Sequence, residues 1–92
     1  MAERTPTDTA LELEAEKRLL IKAEADIDAG WNRLRNQQDL VFSLLAAGEN
    51  TREAERLVQL MKQSLVEWER HRGLIEQRIA YLEQGRVRPA RG

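Results

Sequence analysis

The chain has 92 residues, 41% hydrophobic and 34% charged, with few aromatics and only two prolines; it is too apolar for a disordered chain and large enough for one small domain. A net charge of −1 provides no global field for nucleic acid or membrane surfaces, and without cysteine there is neither disulfide nor thiolate chemistry. The first ten residues lack the layout of a secretory signal, and the longest nearly apolar run, residues 40–47, is far too short to span a bilayer, so a cytoplasmic protein is expected.

Residues 1–8 are expected to be flexible, ahead of a first helix over about 9–47. Two starts compete. Thr5 can cap with Pro6 at the first helical position and Asp8 at the third, and Thr9 with Glu12 forms a second capping box. Along this helix Leu13, Leu20, Ile27, Leu34 and Val41 fall seven apart, followed three residues later by Glu16, Ala23, Gly30, Gln37 and Leu44. Gly48 suits the left-handed position beyond a helix end, making 48–50 the turn. Asn50 then supplies a cap, with Glu53 placed to reach back to it. The second helix, about 51–84, carries Val58, Leu65, Arg72 and Ile79, interleaved with Ala54, Met61, Trp68, Ile75 and Leu82. Gly85 is expected to end it, leaving 85–92 as an Arg-rich disordered tail.

These stripes predict an all-α fold: two long antiparallel helices in a coiled-coil hairpin, dimerising into a four-helix bundle. Residues that meet across the hairpin should have numbers summing to about 98 or 99, which sets Gly30 opposite Trp68. The glycine then leaves room for the indole; a flexible kink at Gly30 is the other reading. The expected core is Leu20, Ile27, Gly30, Leu34, Val41, Val58, Leu65, Trp68, Ile75 and Ile79. Gln37 and Arg72 are polar intrusions on this seam. Arg72 either lifts its guanidinium towards Asp26 or Asp28 or lies solvated. Residues 1–50 carry six basic and ten acidic groups, and residues 51–92 nine and six, so the two halves have opposite charge.

Both helices keep apolar residues outside the single interface a hairpin offers. Trp31, Leu57, Leu60, Leu74 and Tyr81 are the candidates for self-association, with a different protein partner or a monomer as alternatives.

Candidate catalytic parts are scarce, and the chain reads as a non-enzyme with no catalytic, metal or cofactor residues. His71 stands alone in "WERHRG", and Ser43 and Ser64 lie in helical runs rather than on a nucleophile elbow. Glu12, Glu14, Glu16, Glu24, Asp26 and Asp28 read as a solvated charged face. Nucleic acid is a weaker alternative partner, through Arg86, Arg88 and Arg91 with Arg70, Arg72 and Arg78 upstream. Interleaved Glu67, Glu69, Glu76 and Glu83 dilute that basic stripe, and the balanced helices do not suit a membrane surface.

Gly30, Arg33, Leu34, Gln37, Leu40, Val41, Leu44, Gly48, Asn50-Thr51, Ala54 and His71-Arg72 form a pattern that resembles a group of short bacterial proteins common in rhizobia. The likeness covers about residues 17–80. It implies a helical hairpin and brings no activity with it. The chain departs from the group at Trp31, where those proteins tend to be charged, and in its longer N-terminal helix and Arg-rich tail.

Overall fold

The computed structural model describes residues 5–86, apart from the side chain of Arg86. It contains two helices, α1 (Pro6–Ala46, 41 residues) and α2 (Arg52–Arg86, 35 residues), folded side by side as an antiparallel hairpin. The molecule measures 73 × 26 × 15 Å, a single layer two helices wide.

Helix α1 begins earlier than residue 9. Thr5 has extended backbone and its hydroxyl accepts from the Asp8 N–H at 3.0 Å, while Asp8 Oδ2 accepts from the Thr5 N–H at 3.3 Å. Pro6 sits where its missing N–H has no helical partner to lose, and Asp8 faces the positive end of the helix dipole. The competing Thr9 box does not form; the Thr9 N–H already donates to the Thr5 carbonyl at 3.0 Å. Residues 6–8, expected to be flexible, are therefore the first turn of the helix.

At the other end of α1 the Glu49 N–H donates to the Leu44 carbonyl (2.9 Å) and the Gly48 N–H to Leu45 (3.0 Å). This is the Schellman pair, and it needs the left-handed residue that Gly48 supplies at φ +71°. Helix α2 starts one residue beyond the expected position. Asn50 Oδ1 accepts from the Arg52 N–H (2.9 Å), and the Thr51 hydroxyl donates to Glu55 Oε2 (3.1 Å), so Thr51 rather than Asn50 stands at the helix boundary. Gly85 lies inside α2 and does not end it: glycine weakens a helix without stopping it unless the backbone turns left-handed, and Gly48 is the one described glycine that does.

The seam holds two apolar clusters. Ile27, Leu34, Val58 and Leu65, with Val41 and Met61 against them, fill the half nearer the turn. Leu13, Ile75, Ile79 and Leu82, with Leu20 and Ala23, fill the half nearer the open end. Leu13 and Ile75 are the most completely enclosed, at 1% and 0% exposure, so burial in the seam extends to Leu13, Ala54 and Leu82, beyond the core expected from sequence.

Gly30 is buried against α2. A Cβ built there would lie 2.8 Å from Leu65 Cδ2 and 3.1 Å from Trp68 Cζ3. The close approach of Gly30 and Trp68 is thus real, and α1 continues through this point as a helix without a break. The indole, however, is not core. It remains 36% exposed, because a ring this wide can press only one edge onto the glycine and lays the rest across the mouth of the seam.

Candidate interaction surface

The outward surfaces follow from the seam. Seven-residue spacing tracks the partner helix, so residues whole heptads apart share a side of the hairpin. On one side a groove is lined by Gly30, Arg33, Leu57, Leu60, Ser64 and Trp68. A second is lined by Glu12, Glu16, Leu74, Arg78 and Tyr81. Leu60, Leu74 and Tyr81 stand 14 and 7 residues apart, which places both grooves on one face. The opposite face carries a groove nearer the turn, lined by Gln38, Val41, Phe42, Arg52, Glu55 and Arg56.

This arrangement divides the self-association candidates. Leu57, Leu60, Leu74 and Tyr81 lie on the first face, each at least 46% exposed. Trp31, one heptad before Gln38 and three turns before Phe42, belongs to the opposite face. Treating the five as one patch overlooked that Trp31 is one step past the seam residue Gly30, and a single helical step of about 100° carries it around to the other side.

Among the polar seam residues, the Gln37 side chain donates to the Ala54 carbonyl at 3.2 Å and ties α1 to the first turn of α2. Arg72 forms no pair with Asp26 or Asp28; Asp26 engages Lys22 at 3.0 Å instead. The Arg72 Nε is buried with no hydrogen-bond partner among the described residues, at the point that separates the two apolar clusters. Glu16, grouped from sequence with the solvated carboxylates, is only 19% exposed and takes Arg78 Nε at 3.0 Å across the interface. Its place three residues after Leu13 in the heptad was the signal that it turns inward.

Trp68 also receives Arg33, whose guanidinium carbon lies 5.7 Å from the ring centroid, a cation–π contact at the edge of the groove. Of the upstream arginines, Arg70 sits 3.8 Å from Glu67 and Arg78 is taken by Glu16. Arg88 and Arg91 lie outside the described residues, as does the side chain of Arg86. His71 is exposed.

No protein family, curated protein or solved structure was found to match the chain. No helix among the described residues is long and apolar enough to cross a membrane.

Proposed function

We propose that this chain is a non-enzymatic helical-hairpin scaffold or adaptor that associates with itself and presents helix faces to a protein partner. One observation carries the reading. Among the described residues thirteen large hydrophobics are exposed, whereas the buried core consists of nine residues. A structure one layer thick has nowhere else to put them, and exposed apolar side chains that outnumber the core favour an interaction role.

Sedimentation velocity at tens of micromolar protein tests it: a dimer is expected, and a monomer across that range overturns self-association. The second reading, an accessory RNA- or DNA-binding protein working through Arg86, Arg88 and Arg91, predicts affinity for generic duplex that falls steeply as salt rises. Absence of binding at low salt removes it.

A further inference from the structure

We propose that the partner on the Leu57–Leu60–Leu74–Tyr81 face is a second copy of this chain, stacked so that α1 of each copy lies on α2 of the other with both turns at the same end. The proposal rests on the self-association reading above and specifies its face and direction.

The choice of face comes from what α2 offers on each side. On the opposite face its edge carries Glu55, Lys62, Glu69, Glu76 and Glu83, a row of charges at heptad spacing. Two of these are anchored to that side, Glu55 beside Phe42 and Glu83 4.0 Å from Lys17. Stacking there would desolvate five charges in succession, which is expensive without a dedicated partner for each. On the proposed face α2 instead shows the apolar Leu57, Leu60, Leu74 and Tyr81, with Glu67 the one charge in the row of Leu60, Leu74 and Tyr81 and Arg78 already held by Glu16.

The direction comes from charge and level. Helix α1 carries five basic and eight acidic groups, and α2 seven basic and six acidic. A two-fold axis parallel to the helices sets the acidic first helix on the nearly balanced second helix of the other copy. An axis across the helices sets α1 on α1, acid on acid, with Asp26 near its own copy.

The same-end arrangement also matches layers. In the hairpin Gly30 is level with Leu65 and Trp68, so numbers adding to about 95–98 stand at one height. Stacked at the same end, exposed Leu40 meets the level of exposed Leu57, and Arg33 that of Ser64. Leucine meets leucine in the first of these layers, and a guanidinium meets a hydroxyl in the second. A face 73 Å long and 26 Å wide exceeds the ~800 Å² per partner of a standard interface.

The chain has no cysteine, so engineered thiols report contacts without background. Leu40, Leu57, Leu60 and Tyr81 are all exposed, so replacing them spares the seam, and circular dichroism checks that each variant stays helical. Oxidation of an equimolar mixture of L40C and L57C chains should give a disulfide-linked pair of unlike chains, and a mixture of L60C and Y81C should give none. In solution L60K should sediment as a monomer and W31K as a dimer. A dimer whose thiols link only as L60C with Y81C overturns the direction, and a dimer broken by W31K but not by L60K overturns the face; in either case self-association survives. A monomeric parent chain overturns both.

Discussion

Two glycines in helical backbone have opposite tasks, and substitution separates them. At Gly30 any side chain must enter space held by buried Leu65 and the edge of Trp68. Gly30→Leu should lower stability by about 1–3 kcal/mol through overpacking, read as a lower urea midpoint. At Gly73 a Cβ meets nothing within 4 Å, and the backbone is ordinary helix. Gly73→Ala should therefore raise stability by about 0.5–1 kcal/mol in the same titration, since only the entropic cost of glycine in a helix is removed. A gain at both positions would mean that Gly30 admits nothing in particular. Sequence spacing was enough to set Gly30 beside Trp68, because both occupy the seam row of their heptads. It could not say that the indole stays 36% exposed, since that depends on the width available between two packed helices.

At the scale of elements, hydrogen bonds at the helix ends decide the boundaries. The turn relies on Gly48 at φ +71°, where an L-residue is strained. Gly48→Ala should cost about 1–2 kcal/mol and lower the thermal midpoint, with the helical signal of the folded state retained. No loss would show that the turn relaxes freely into another conformation. The start of α1 was legible as two alternatives, and the reciprocal Thr5–Asp8 bonds select one of them. Local pattern alone cannot choose between overlapping capping boxes, because each satisfies the same free N–H groups. The Asn50-Thr51 step was legible as a start signal. Which of the two residues stands at the boundary depends on where the chain leaves the turn.

For the whole molecule the controlling fact is its 15 Å thickness. One interface between two helices leaves Leu19, Leu40, Leu57, Leu60, Leu74 and Tyr81 in water, and association would remove them from it. If two copies cover one another, the native state gains stability by mass action, and the thermal midpoint should rise with protein concentration. A midpoint independent of concentration over two decades would show that a single copy is the stable unit. Arg72 belongs to this scale as well: its Nε, buried without a hydrogen-bond partner among the described residues, falls in sequence between Leu65 of one apolar cluster and Ile75 of the other.

Period and punctuation are local properties, and by themselves they determined that this chain is two helices, that it folds back at Gly48, and which row of each helix turns inward. Which side of the hairpin each remaining side chain occupies was decided by the tertiary structure. It parted Trp31 from Leu57, Leu60, Leu74 and Tyr81, drew Glu16 inward to Arg78, and left Arg72 without Asp26 or Asp28. The physical reason is that a helix repeats every ~3.6 residues whatever it packs against, whereas an interface is a property of two surfaces at a definite distance and rotation.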